Sequence, residues 1–414
     1  MSTRCWRVIP LPPLGPERSL AAVLLQDTQG ELGMLLWRTL RAVHAWATTA
    51  PADRSLVFPP DARDRRMADL LSAAPDPALE RPLLVLSELL DGSSRIDGER
   101  VALACLCVAG WARGAGKPAT ADEFTYAAAL VCPGNPAHAL AAARASRDRG
   151  EVEEAEAMYH RAVGLARQVH DWDSYVRAHA GLGKLAQARG RYPSARRALL
   201  RALRNAERHH RRGLRAMVLH DLFTVARESG MGEAEGYAQA AAETYGAGHA
   251  SLAALAGDVA ILWMDQGRFA EAATVLRWML PHLSGEARMV ALGNSARAAG
   301  GAGDYEGFRR AFDEVLAAPE GMPRRLDALN AAVLGAVGVG VLDLAEAGAR
   351  SVLAGAEQRG QHGTVAQMEG LLAEVEGLRR TATRCPVQAA RTDGEGSPLL
   401  RTLERVLAPA GAGA

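Results

Sequence analysis

At 414 residues, with 49% apolar and 23% charged positions, the chain is long enough for two or three compact domains or one extended repeat array. Aromatics make up only 5% and alanine is abundant, which favours close-packed helices with small interfacial residues, and the scarcity of Val/Ile/Thr alternation argues against sheets. The net charge of +1 excludes bulk attraction to nucleic acid or to a membrane, so either partner would need a local patch.

The opening "MSTRCWRVIPLPPLGPERS" has prolines and a glutamate where a signal peptide needs an unbroken apolar stretch. The longest apolar run, "AAVLGAVGVGV" with Leu342, is shorter than the roughly 20 residues of a spanning helix, so the chain is expected to be soluble and cytoplasmic. Residues 17–50 and 62–91 are predicted helices, with Trp37, Leu40, Val43 and His44 on one face, and "DGSSRIDGER" is a loop. Residues 1–100 thus form a helical region, either degenerate repeats or a cap.

From there a period emerges. Glycines in helix-breaking contexts stand at Gly116, Gly150, Gly190, Gly230, Gly267, Gly303 and Gly340, with intervals of 34 to 40 residues. Each suits a turn in which a helix ends at positive φ. Five residues after most of them comes a small residue (Ala121, Ala155, Ala195, Ala272, Ala345), where helices must approach closely. Twelve after comes an apolar one (Ala128, Ala162, Ala202, Met279, Val315, Val352), and two after comes a gap-filler (Val152, Tyr192, Phe269, Tyr305, Leu342).

In "YVRAHAGLGKLAQARGRYPSARRALLRAL", Leu182, Gly183, Ala186, Gly190, Tyr192, Ala195, Leu199 and Ala202 are spaced as in the tetratricopeptide repeat, which the chain resembles over roughly residues 100–378. Pro133 and Pro136 mark the end of one unit and the first turn of the next. The resemblance implies an all-α, right-handed superhelical array of helix-turn-helix repeats over 101–378, about seven units, and a scaffold that binds protein. Two departures stand out: the bulky tryptophan and tyrosine of the first helix are mostly alanine, and "DLFTVARESGMGEAEGYAQAAAETY" fits only if its second helix shifts by a residue. Residues 379–414 are expected to be a flexible linker, a short amphipathic helix around "LLRTLERVLA" and a disordered end. That helix would dock on the array or a partner, or cap the last repeat.

The resemblance also places groove-facing positions about ten, six and three residues before each turn glycine. These are Leu140, Arg144 and Arg147; Ala180, Lys184 and Gln187; His220, Thr224 and Arg227; Gly257, Ile261 and Met264; Gly293, Arg297 and Gly300; and Asn330, Leu334 and Val337. The first half is cationic and polar, the second apolar. This is similar to the arrangement by which members of the family clamp a peptide carboxylate, although the expected asparagine is missing. The expectation is an acidic or C-terminal peptide held by Arg144, Lys184 and Arg227, with an apolar anchor near Ile261 and Met264. Because only Lys117 and Lys184 represent lysine, a solvated arginine face is the competing reading.

A second cationic feature, the stripe of Arg197, Arg201, Arg204 and Arg208, lines one helix face without interleaved aromatics, which reads as a solvated surface rather than a nucleic-acid site. Catalytic constellations are thin. "HD" occurs at His170 and His220 in non-equivalent positions; Asp171, Asp173 and Ser174 read as turn and N-cap residues, and the glycines of "GLG" and "GVG" lack the context of a phosphate loop. Cys5, Cys105, Cys107, Cys132 and Cys385 are odd in number and form no CxxC pair, so buried free thiols are expected rather than disulfides or a zinc site. No cofactor or metal is indicated. The sequence therefore predicts a non-catalytic protein- or peptide-binding scaffold in a regulatory or signalling setting. Its alternative is a peptide- or small-ligand sensor that changes superhelical pitch through Gly257, Gly293 and Gly300.

Overall fold

The computed structural model describes residues 20–91, 96–381 and 397–407, and over these the protein consists of α-helices joined by turns and short 3₁₀ segments, with no strand among them. Two compact units meet between Leu214 and Arg215. The first holds α1 (Leu20–Asp27), α2 (Gly30–Thr48), α3 (Ala62–Ala73) and α4 (Pro77–Ser87), followed by three helical hairpins: α5 (Gly98–Gly114) with α6 (Pro118–Val131), α7 (Pro136–Asp148) with α8 (Val152–Val169), and α9 (Trp172–Ala188) with α10 (Tyr192–Arg208). The boundary falls in the first turn of α11 (Arg212–Glu228), which pairs with α12 (Ala234–Tyr245). Then come α13 (Leu252–Asp265) with α14 (Phe269–Met279), α15 (Gly285–Gly301) with α16 (Tyr305–Ala317), α17 (Arg325–Gly338) with α18 (Leu342–Gln358), and the single helices α19 (His362–Thr381) and α20 (Pro398–Leu407).

The seven periodic glycines are the turns inside these hairpins, all at φ between 67° and 79°. In each, the residue after the glycine donates its N–H to the carbonyl five residues earlier, as Glu151 does to Ser146 (2.9 Å) and Val341 to Ala336 (2.9 Å). That is the bond pattern of a helix ended by a left-handed residue. Ala121, Ala155, Ala195, Ala272 and Ala345, five residues on, are all fully buried. Of the expected gap-fillers, Val152, Tyr192, Phe269 and Leu342 are half-buried, but Tyr305 is 47% exposed. Phe308, three residues later and fully buried, fills that interior instead. The fourth hairpin departs further than the expected single residue: α12 starts four residues after its glycine where the others start two after, because a turn at 231–233 intervenes.

The helix expected over 17–50 breaks at Thr28 and Gln29. The reason lies ninety residues away. Asp27 accepts hydrogen bonds from the Ala119 N–H (2.7 Å), the Thr120 N–H (3.2 Å) and the Thr120 hydroxyl (2.6 Å), so it caps α6, whose own N-cap Lys117 supplies no side-chain acceptor. Helices α1 to α4 share one apolar core with α5 and α6, in which Leu40, Val43, Leu83, Val101 and Phe124 are fully or almost fully buried. Trp37 is half-buried against that core, and His44 lies inside it. The segment expected over 62–91 is likewise interrupted, by left-handed Ala74 ahead of the Asp76 cap of α4.

In the second unit α20 buries Leu399, Thr402, Leu403 and Leu407 and packs against α12, α13 and α14. It therefore docks on the array and is not a cap for the last helix. The linker before it, the residues after it, Cys5 and Cys385 lie outside the described residues.

Helices α15 and α17 meet backbone to backbone. A Cβ on Gly293 would stand 2.4 Å from the Ala328 carbonyl oxygen, one on Gly300 2.1 Å from that of Gly335, and one on Gly335 2.2 Å from that of Ala296. Gly293 and Gly300 are buried in this seam, which corrects their expected place as flexible groove residues. Gly300→Ala is expected to destabilise the protein by about 1–3 kcal/mol through overpacking. Gly370→Ala, in the open middle of α19 with nothing within 4 Å of a Cβ, should stabilise it by about 0.5–1 kcal/mol. Urea unfolding midpoints of the two variants, moving in opposite directions from the parent, are the check.

Candidate functional site

In the first unit the relevant surface is made by α7 and α9, the first helices of successive hairpins. The ring of Tyr159, fully buried on α8, lies against the backbone of α9 at Gly181, where a Cβ would come within 2.2 Å of it. Its hydroxyl sits 3.4 Å from Nη1 of Arg147. Arg147 also donates to Asp148 through Nε (3.0 Å) and Nη2 (2.7 Å). Arg144 stands exposed beside this pair. Its pKa lies below the ordinary arginine value, first through lost solvation and then through the neighbouring charge of Arg177, with Arg147 contributing in the same sense. Burial raises the Tyr159 pKa while Arg147 and Arg144 oppose it. Arg177 and exposed Lys184 are seven residues apart on α9 and so share a face, and Gln187 is half-buried one turn further on. The structure thus gathers Arg144, Arg147 and Arg177. Arg177 was missed from sequence, although its spacing from Lys184 was the available signal.

The second unit uses its first-helix residues differently. His220 on α11 bonds through Nε2 to Asp258 on α13 (3.0 Å), Arg297 on α15 pairs with Asp265 on α13 (3.2 Å), and Asn330 on α17 donates to Gln367 on α19 (3.3 Å). His220 and Asn330 are engaged with the following helix on this face and Arg297 with the preceding one. Arg227 is half-buried, its guanidinium 3.9 Å from Glu228. Met264, an expected apolar anchor, is 2% exposed and belongs to the hairpin interior. Ile261 is half-buried and lines a cavity of about 520 Å³ with Gly257, Met279, Val290 and Asn294, and with Arg324 among the lining residues.

The sequence profile of the tetratricopeptide repeat matches residues 135–208, the two hairpins that carry the cationic face. Over that segment the chain carries tetratricopeptide repeats. Solved structures similar to it include the TPR2AB domain of yeast Sti1 in a complex with pHSP90, 16% identical over 66% of this chain and 98% of that one, with a TM-score of 0.27. They also include the TPR domain of P58(IPK), 11% identical over 78% and 99%, with a TM-score of 0.25. No curated protein matches the chain.

Outside the α7–α9 face, the repeats show the stripe Arg197, Arg201, Arg204 and Arg208 exposed along α10, with Arg197 bonded to the Ser194 hydroxyl (2.9 Å). The two "HD" pairs have separate structural uses. His170 is the left-handed residue ending α8, Asp171 caps α9 by accepting from the Ser174 N–H (3.0 Å), and Asp221 is buried in α11. Among the described cysteines Cys105 is buried, Cys132 half-buried and Cys107 exposed, so the expectation of buried thiols fails at Cys107, which the helical period turns away from the core. One group of described residues could hold a metal ion: Glu99, Cys132 and His138, whose ligand atoms all lie within 4.8 Å of one another. The Glu99 carboxyl is held below the usual range, first by the Asn135 amide and then by His138 and Cys132. Burial and the charges of Glu99 and Asp97 push the Cys132 thiol up to about 12. No helix of the described residues is long and apolar enough to cross a membrane.

Two buried histidines carry a pH consequence. Burial lowers the pKa of His44 to about 4; burial, with Arg201 and His160 adding to it, does the same for His179. Above the unfolded value near 6.5 both states are neutral. As the pH falls toward 4 the unfolded chain takes up protons that the folded one refuses, so stability declines across that window and levels off below it. The loss is up to about 3 kcal/mol per histidine at 1.36 kcal/mol per pH unit. Urea midpoints between pH 7 and 4.5 should fall less steeply for His44→Leu and for His179→Leu than for the parent; parallel curves would contradict the assignment.

Proposed function

We propose that the protein is a non-catalytic adaptor that holds an acidic segment, or the C-terminal carboxylate, of a partner protein on the α7–α9 face, in a regulatory or signalling role. The observation that carries this reading is Arg147 at the Tyr159 hydroxyl with Arg144 beside it and the charge of Arg177 acting on Arg144, with Lys184 two turns along α9 from Arg177. Like charges brought together on adjacent helices repel, and the charges of Arg177 and Arg147 add to the loss of solvation that lowers the Arg144 pKa. A carboxylate bound among them relieves that repulsion and accepts charge-assisted hydrogen bonds, each worth about 1.5–3 kcal/mol. Asp148 neutralises part of the cluster through Arg147, which leaves Arg144 and Arg177 as the principal contacts. Repeat arrays of this kind use extended helical surfaces for binding.

The second reading, a peptide- or small-ligand sensor, is favoured by the cavity at Gly257 and Ile261, whose volume of about 520 Å³ suits a small ligand. Its apolar walls would take an aliphatic side chain, with Arg324 reaching a polar group. Any shape change would not hinge at Gly293 or Gly300, which sit under direct backbone contact.

Arrays of peptides with free or amidated C-termini, probed with the full chain, separate these readings. The wild type is expected to select acidic peptides with a free carboxylate and to lose affinity with added salt. Arg144→Glu and Arg177→Glu should each weaken that binding by about ten- to a hundredfold, in line with loss of one charge-assisted bond. An unchanged peptide selection by both variants would remove the α7–α9 site.

A further inference from the structure

The ends of three helices in the first unit converge on one point. Glu99 stands in the first turn of α5, Cys132 is the residue that ends α6, and His138 lies in the first turn of α7. Nε2 of His138 is 3.1 Å from Oε2 of Glu99, and the Cys132 sulfur completes a triangle no longer than 4.8 Å on any side. Two ligands bound at 2.0–2.1 Å in a tetrahedron are about 3.3 Å apart, so the histidine and carboxylate already stand near the separation that a shared ion sets, and the sulfur needs a shift of at most about 1 Å.

The surroundings hold these groups in place. Gly98 leaves room for the Cys132 sulfur, which would lie 3.4 Å from a Cβ at that position. The buried Arg161 guanidinium donates to the Pro133 carbonyl (2.5 Å), fixing the loop that presents Cys132. Asn135 caps α7 through Oδ1, which accepts from the Ala137 N–H (2.9 Å), while its Nδ2 orients the Glu99 carboxylate (3.0 Å). His138 is 9% exposed, and the charge of Asp97 acts on Cys132 as well as that of Glu99. A cavity of about 380 Å³ opens beside Glu99 and Cys132, bordered by Gly134, Val169 and Asp171.

We propose that Glu99, Cys132 and His138 are three ligands of a divalent-cation site of the zinc class, with the fourth position open to this cavity. The donor set decides the class. One sulfur, one imidazole nitrogen and one carboxylate oxygen suit zinc and its softer relatives, whereas calcium and magnesium take all-oxygen shells. On binding, the Cys132 thiol gives up its proton to solvent and the thiolate takes the metal, so the two charges of the ion meet the charges of Glu99 and Cys132. Asn135 is a positioning residue that acts through Glu99. The bound ion ties the start of the first hairpin to the start of the second.

Cobalt(II) added to the metal-free full chain reports the site directly. The wild type is expected to take up one equivalent and to show both the visible bands of four-coordinate cobalt and a near-ultraviolet thiolate-to-cobalt band. Zinc should displace the cobalt and raise the melting temperature. In Cys132→Ser the thiolate band should vanish; in His138→Gln and Glu99→Gln affinity should fall at least about tenfold; and Asn135→Ser, which keeps a capping oxygen, should lose about ten- to a hundredfold. If Cys132→Ser loses helicity, a chain with Cys5, Cys107 and Cys385 all replaced by serine must keep the band. Absence of the band from the wild type, its persistence in folded Cys132→Ser, or its loss from the triple-serine chain would overturn the proposal.

Discussion

Everything in the array depends on how a helix stops inside each hairpin. At Gly116, Gly150, Gly190, Gly230, Gly267, Gly303 and Gly340 the backbone takes a left-handed turn, and the next N–H reaches back five residues to a carbonyl that would otherwise be unsatisfied. The chain leaves the turn at an angle that brings the second helix down along the first, so that small residues such as Ala155 and Ala195 are fully buried between them. Two of the connections between hairpins use the same geometry with side chains that resist it: His170 and His210 stand at φ 59° and 54°. A residue with a Cβ in that region costs about 1–2 kcal/mol. Trp172, which follows the first of these turns, stacks on His209, which precedes the second, with centroids 4.2 Å apart, so packing across the open end of the α9–α10 hairpin offsets part of that cost.

A second regularity is laid over the turns. Arg189 pairs with Glu153 and Glu156, Arg268 with Glu235, and Arg379 with Asp343 and Glu346, at chain separations of 36 or 33 residues throughout. Arg189 and Arg379 stand at the ends of α9 and α19 and Arg268 in the turn before α14, and each reaches the opening of the preceding hairpin's second helix. Exposed pairs of this kind add little stability individually. Their value is register, since a slip of one residue would set the arginine beside the wrong face.

Much of this was legible because turn and interior residues obey local rules. A glycine that must take positive φ and an alanine that must let two helices touch are both visible in the sequence at the correct spacing. Other features were not legible, for two physical reasons. First, a periodic position gives direction but not depth: the register assigns Ile261 and Met264 to the same surface, yet Ile261 lines a cavity and Met264 is swallowed by its own hairpin. Second, some contacts depend on three-dimensional return of the chain. Asp27 capping α6 from ninety residues away leaves no mark in the local pattern, and neither does Arg161 reaching the Pro133 carbonyl. The Glu99, Cys132 and His138 group has no metal-binding spacing; only the fold brings position 99 to a loop that begins 33 residues later. The acids at 153 and 156 look sufficiently explained by the helix dipole until Arg189 is seen beside them.

The two units therefore differ in what their first helices leave for a partner. In the second, the polar groups His220, Arg297 and Asn330 are bonded to neighbouring helices, so a ligand there would have to rely on apolar contact at the Ile261 cavity or displace existing bonds. In the first, basic side chains accumulate on α7 and α9 faster than acids neutralise them, and that imbalance is what the proposed acidic partner would correct. Helix α7 carries both His138 in its opening turn and Arg144 and Arg147 in its last two. A straight helix transmits a constraint at one end to the side chains at the other. An ion holding His138 would fix the axis on which those arginines are mounted, and the strength of carboxylate capture would then depend on how little that helix moves.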